Sequence, residues 1–218
     1  MKKWSKFEVI WLIFITVVIT STVIIKTNGI ISNIASICGV VGTFLIAKQT
    51  RLAYIFTTIN ALLYGIVVFK NGMYGSAVYN LLYNFPMQIY GVIYWTKSAA
   101  KSDLGIRMVS KKIKIIASII LITIIIITMF ILNKFGGNMV FFDSIIMVLS
   151  YVAVFLMTNK YMEQWIVWII VNVSGTIMWG IQTLQNPNNM GLLVMWIIFL
   201  CNSVYGFINW RKIKQNRI

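Results

Sequence analysis

Eight apolar runs follow one another along these 218 residues, at about 9–25, 30–47, 52–69, 75–96, 113–132, 139–158, 165–184 and 191–210. Coiled into a helix at about 1.5 Å per residue, each is long enough to cross the ~30 Å hydrocarbon core of a bilayer. Lipid offers no partner to backbone N–H and C=O groups, so successive runs of this length predict a bundle of transmembrane helices. Composition closes off the alternative. Hydrophobic residues make up 60% of the chain and charged residues 11%, against about 25% charged in an ordinary soluble domain. No soluble core of this size hides that much apolar surface.

The net charge of +15 belongs to topology rather than to nucleic acid, because the cations sit between the runs. One side of the membrane collects sixteen Lys and Arg, in the N-terminus, residues 48–51, 97–114, Lys160 and the tail after Trp210. The other side has only Lys26, Lys70 and Lys134. By the positive-inside rule both termini are cytoplasmic. The apolar N-terminal stretch lacks a small-residue cleavage site and reads as a retained helix rather than a signal peptide. Cys38 and Cys201 lie within apolar runs, and nothing requires them to pair.

A displacement of 115 residues brings Tyr64-Gly65 onto Trp179-Gly180, Asn71 onto Asn186, and "YGVIYW" (90–95) onto "YGFINW" (205–210). "FLIAK" (44–48) similarly resembles "FLMTNK" (155–160), displaced by 111–112. Spans 2–4 therefore read as duplicated in spans 6–8. An even number of spans separates the triplets, so they run parallel, with span 5 as the crossing between them. The predicted fold is all-α and integral to the membrane: one extra N-terminal helix, then a 3+1+3 parallel repeat of three-helix bundles. Its units are residues 1–29 (extra helix), 30–96 (first bundle), 97–138 (basic loop and linker helix) and 139–218 (second bundle and basic tail). Parallel repeats of this kind are a transporter architecture, with the substrate held near mid-membrane between the halves.

Polar and aromatic residues form stripes inside the spans. Trp165, Trp168, Asn172, Thr176 and Trp179 share one face of span 7, since spacings of 3 and 4 return to the same side of a helix. Span 4 carries Asn80, Asn84 and Gln88, span 8 Asn202 and Asn209, and span 3 Thr57, Asn60 and Tyr64. An amide in hydrocarbon costs several kcal/mol unless it is partnered, so these groups must face one another, a cavity or a substrate. Single amides can be interhelical glue worth about 0.6 kcal/mol each, and Trp4, Trp95 and Trp210 read as interfacial belt residues. Aromatic faces attract cations and stack on flat rings; amides match a carboxamide or ribose hydroxyls. No intramembrane Lys or Arg stands ready for a phosphate. Pro86 should kink span 4, either as a static bend or as a hinge. Asp143, at the start of span 6, is expected to cap that helix.

These residues resemble the PnuC family of bacterial nicotinamide riboside transporters. The likeness covers about residues 30–212. It rests on the W-x-x-W pair Trp165 and Trp168 with Asn172 following, on "NFPMQIYG" (84–91) and on "NSVYGFINW" (202–210). The resemblance implies a SWEET-like arrangement, a homotrimer in the bacterial cytoplasmic membrane, and nicotinamide riboside as substrate. It also makes Trp165, Trp168, Asn172, Gln88 and Asn202 the first candidates for ligand contact, with Asn60, Asn84, Tyr64 and Trp179 second. Relatives that carry thiamine, riboflavin or deoxynucleosides leave those substrates open, and a sugar would also suit aromatics and Asn.

The chain has no His and only four acidic residues, Glu8, Asp103, Asp143 and Glu163, none placed as an intramembrane proton relay. Facilitated diffusion by alternating access is therefore expected, with intracellular phosphorylation trapping the substrate; sodium coupling stays open, because amide and backbone oxygens can ligate that ion. The same scarcity speaks against an enzyme, a metal site or a cofactor. A membrane subunit that binds the ligand without transporting it would carry the same pocket.

Overall fold

The computed structural model describes residues 30–47, 52–100 and 106–215, with positions 13, 17, 21 and 50 in isolation. Most of the expected first span, 9–25, lies outside the described residues, as do Trp4, Glu8 and Asp103.

The remaining apolar runs are all helical. They form α1 (Ile30–Ala47), α2 (Ala53–Lys70), a composite helix α3 (74–100), α4 (Lys111–Lys134), α5 (Val140–Thr158), α6 (Gln164–Gln185) and α7 (Met190–Gln215). Five of them, α2 and α4 to α7, are long and apolar enough to cross a membrane, and a shorter apolar helix spans Ile31–Ile46. The chain is thus an all-helical membrane protein. Helix α4 has only Leu132 buried and turns Ile119, Ile122, Ile127 and Phe130 outward. A helix that apolar on its open faces is solvated by lipid.

Helix α3 departs from the simple kink expected at Pro86. It begins as an α-helix (Tyr74–Val78), widens to a π-helix (Tyr79–Asn84) and resumes as an α-helix (Phe85–Ala100). Pro86 has no N–H and its ring crowds the carbonyl one turn earlier. The wider turn absorbs that conflict, with the Phe85 N–H donating to Asn80 O, five residues back.

Two cross-connections settle which loops share a side. The Asn138 N–H donates to Gly72 O at 3.3 Å, joining the α2–α3 turn to the α4–α5 turn. Gly72, at φ 73°, makes the left-handed turn there that other residues resist. At the opposite end Arg107 pairs with the α5–α6 loop: its N–H donates to Lys160 O at 3.0 Å, and Met162 N–H donates to Arg107 O at 2.9 Å. Lys114 adds an ion pair with Glu163 at 2.7 Å. Lys70 and Lys134 therefore flank one end of the bundle, here the cation-poor end, while Arg107, Lys114 and Lys160 share the other.

Asp143 corrects an expectation. It does not cap its own helix. Its carboxylate accepts from Gly75 N–H (3.0 Å), Ser76 N–H (2.9 Å) and the Ser76 hydroxyl (2.5 Å), and so caps the first turn of α3 from across the bundle. The buried start of α3 presents donors and a partial positive charge, which a fully buried carboxylate answers.

Buried apolar side chains gather in two clusters. One, toward the cation-poor end, centres on Tyr64, Met178, Trp179, Met195 and Trp196. The other centres on Tyr54, Tyr79, Met157, Trp165 and Trp210. Trp210 belongs here and not to an interfacial belt: it is fully buried, with its ring 5.7 Å from that of Trp165 in an edge-on arrangement.

Candidate functional site

A cavity lies between these two apolar clusters, drawing its walls from both. Its volume is about 90 Å³, below the roughly 300–1,000 Å³ typical of small-molecule sites.

One wall is an amide ladder. The Thr57 hydroxyl on α2 donates to Gln88 Oε1 at 2.8 Å. Gln88 Nε2 donates to Asn84 Oδ1 (2.6 Å), Asn84 Nδ2 to Asn80 Oδ1 (3.2 Å), and Asn80 Nδ2 to Ser76 O (2.8 Å). Steps of four residues keep the three amides on one face, and the chain of donors polarises in one direction. Each amide spends its oxygen and one N–H on the ladder, keeping a second N–H.

The opposite wall repeats the device. Asn172 on α6 donates through Nδ2 to Ser203 Oγ (2.5 Å) and to Phe199 O (3.1 Å), both on α7. The pairs Thr57–Gln88 and Asn172–Ser203 each span 31 residues and stand 115 residues apart along the chain. Asn202 Nδ2 donates to Thr43 Oγ1 on α1 at 3.2 Å, and Asn60 Nδ2 to Ala35 O at 2.8 Å. No donor among the described residues reaches Asn60 Oδ1 or Asn172 Oδ1. Both side chains line the cavity, and each carries an amide oxygen without a donor among the described residues.

Aromatic surfaces complete the lining: Trp165 and Trp168 on α6, Trp196 and Phe199 on α7, Tyr64 on α2 and Tyr79 on α3. Trp165 is buried, and its indole N–H has no partner among the described residues. A bare buried donor costs about 1–3 kcal/mol, which a water or a ligand oxygen recovers. Gly206 gives the Trp165 ring its berth, since an added Cβ would stand 2.4 Å from it.

Eight of the nine residues expected at a site line this one cavity: Asn60, Tyr64, Asn84, Gln88, Trp165, Trp168, Asn172 and Asn202. Trp179 does not. It is fully buried behind Tyr64 and donates its indole N–H to the Tyr64 hydroxyl at 3.0 Å. Sequence reasoning missed Thr43, Ser150, Trp196 and Phe199, which also face the cavity. For α7 a signal existed: Trp196, Phe199 and Ser203, at spacings of 3 and 4, make a stripe like that of α6.

No lining residue is Lys, Arg, Asp or Glu. Among the described residues no group of three or more His, Cys, Asp and Glu could hold a metal ion. The chemistry of this lining suits a flat ring against indole faces, hydroxyls or amides in matched hydrogen bonds, and a diffuse cation near ring faces.

Residues 29–212 match the family model described as nicotinamide mononucleotide transporter. A nicotinamide riboside transporter PnuC of Neisseria mucosa is 28% identical over 222 residues, covering 96% of this chain and 82% of the relative. That of Haemophilus influenzae is 26% identical, covering 96% and 92%. In a solved structure, "Crystal structure of the Vitamin B3 transporter PnuC", 95% of the chain superposes on 99% of this one with a TM-score of 0.80 at 24% identity.

Proposed function

The chain belongs to the nicotinamide mononucleotide transporter family, and from that premise we propose that it carries nicotinamide riboside, not the mononucleotide, across the bacterial cytoplasmic membrane. The observation that carries the choice is a cavity without a charged lining residue, walled by Trp165 and Trp168 and lined by Asn60 and Asn172, whose amide nitrogens are bonded and whose oxygens have no donor among the described residues. The riboside offers a pyridinium cation to the indoles, a carboxamide N–H₂ to the amide oxygens, and ribose hydroxyls to the remaining amide N–H groups. The mononucleotide adds a phosphate of about −1.5 to −2 charge near pH 7. Desolvating that charge opposite no Lys or Arg is unfavourable by several kcal/mol. The curated relatives named for the riboside point the same way.

The substrate-binding set is Trp165, Trp168, Asn172, Gln88 and Asn202, with Asn60, Asn84 and Tyr64 around it and Trp179 behind Tyr64. Two three-helix bundles, 30–96 and 139–218, rock about this site in a SWEET-like 3+1+3 arrangement, with the linker region 97–138 between them. The equivalent bonds Thr57–Gln88 and Asn172–Ser203 support the duplication. An extra first helix in residues 1–29 completes eight spans and leaves both termini in the cytoplasm, on the cation-rich side. The family resemblance implies a homotrimer. Transport is facilitated diffusion: a cationic riboside moving inward gains about 2.3 kcal/mol per 100 mV of inside-negative potential, and cytosolic phosphorylation traps it.

Tryptophan fluorescence of the purified protein, titrated with riboside, mononucleotide, thiamine, riboflavin, thymidine and glucose, tests the assignment. Saturable quenching by the riboside alone, lost in Trp168→Ala and Asn172→Ala, is expected. Equal or tighter binding of the mononucleotide overturns the choice. Riboside flux into proteoliposomes that requires an imposed proton gradient overturns facilitated diffusion.

A further inference from the structure

We propose that Tyr64, Trp179 and Trp196 form the outer gate of this cavity, a hydrogen-bonded latch that must open to admit substrate from the cation-poor side. The proposal rests on the transport reading above and adds to it which residues close the path. Two indoles of the second bundle converge on one phenol of the first: Trp179 Nε1–H donates to the Tyr64 hydroxyl at 3.0 Å and Trp196 Nε1–H at 3.1 Å. The Tyr64 and Trp196 rings meet edge-on, centroids 6.3 Å apart. All three side chains are buried. Gly175 lets Trp196 lie directly on α6, since an added Cβ would stand 2.1 Å from its ring.

The position of the latch follows from the repeat. Tyr64 and Trp179 are 115 residues apart, the displacement that relates the two halves. Equivalent residues of two halves touch only where the axis relating them passes between them, and a central pathway runs along that axis. Tyr64 and Trp196 line the cavity, and Trp179 closes behind them. At the cavity's other end stand Ile46 and Met157, ending α1 and α5 and 111 residues apart, both buried and apolar. The two ends are therefore closed by different means: directional hydrogen bonds on one side, non-directional packing on the other.

The phenol also faces the ligand. An uncharged hydroxyl has one proton and two lone pairs. Both indoles occupy the lone pairs, and no acceptor for the proton exists among the described residues. A substrate oxygen in the cavity would accept it, and a filled acceptor strengthens the same oxygen's hold on the indoles. Substrate binding thereby favours a closed outer gate.

The test replaces Cys38 and Cys201 by Ser, adds Ser150→Cys as a reporter on the cavity wall, and applies the cationic, membrane-impermeant reagent methanethiosulfonate ethyltrimethylammonium to sealed vesicles from either side. Tyr64→Phe keeps the ring and removes both bonds, so modification from outside should accelerate at least fivefold, with modification from inside no faster. Trp179→Phe and Trp196→Phe, each removing one bond, should give smaller accelerations and serve if Tyr64→Phe does not fold. An unchanged outside rate in all three overturns the gate and leaves Tyr64 a ligand contact. Equal acceleration from both sides also overturns it, as general loosening. The reagent alone is the probe, so failure of the riboside assignment leaves this result readable.

Discussion

Gly206→Ala is the sharpest probe of the cavity wall. An alanine Cβ at 206 would stand 2.4, 2.4 and 2.7 Å from three carbons of the Trp165 ring. Carbon atoms rest at about 3.5–4.0 Å, so the indole must retreat by about 1 Å. Trp210 restrains it, edge-on with ring centroids 5.7 Å apart, and the cavity is the open direction. Overpacking of this kind costs about 1–3 kcal/mol. Borne by the free protein, that cost lowers stability. Borne by the complex, it weakens substrate binding by about 5- to 150-fold, at 1.4 kcal/mol per factor of ten.

The 115-residue displacement supplies the control for that experiment. Gly91 stands 115 residues before Gly206, and a Cβ there would meet the Tyr54 ring at 2.1 Å. Tyr54 is fully buried and does not line the cavity. Gly91→Ala should therefore lower the melting temperature while leaving riboside affinity within about twofold, whereas Gly206→Ala should weaken affinity. Combining Gly206→Ala with Trp165→Leu removes the clash, so the pair should show a coupling of at least about 1 kcal/mol in a double-mutant cycle. Thermal unfolding in detergent and riboside titration read the two arms. Unchanged stability and affinity in Gly206→Ala, or equal affinity losses in both glycine variants, would refute the packing argument.

Two further outcomes follow from the polar ties between helices. Asp143→Ala strands the Gly75 and Ser76 N–H groups at the start of α3, and buried donors left bare cost about 1–3 kcal/mol each; thermal unfolding should show a loss of about 3 kcal/mol or more, with Asp143→Asn losing less. Lys114→Ala removes the 2.7 Å pair with Glu163, but Lys114 is 40% exposed, so solvent screening holds the loss below about 1 kcal/mol; a stability loss above about 2 kcal/mol would show the pair to be structural.

Much of this protein was legible one residue at a time. The limits of α1, α2 and α4 to α7 fall within a few residues of the apolar runs, because bilayer thickness and backbone hydrogen bonding dictate them whatever the neighbours are. The stripe of Trp165, Trp168 and Asn172 was legible for the same reason: the period of a helix is local. The 115-residue displacement was read from Tyr64-Gly65 and Trp179-Gly180, Asn71 and Asn186, and "YGVIYW" and "YGFINW"; the bonds Thr57–Gln88 and Asn172–Ser203 stand at that same displacement.

What the sequence by itself determined, then, was which residues share a face and where the described helices begin and end. Only the tertiary structure decided what each face meets. Trp179 shares a stripe with Asn172 yet turns to Tyr64 and not to the cavity. Asp143 caps α3 and not its own helix, and Trp210 is buried against Trp165 instead of lying at an interface. Gln88 donates to Asn84, whereas the oxygens of Asn60 and Asn172 have no donor among the described residues. A hydrogen bond depends on an angle and on about 3 Å of distance between atoms of different helices. Helix periodicity carries neither quantity; the packing of α2, α3, α6 and α7 sets both.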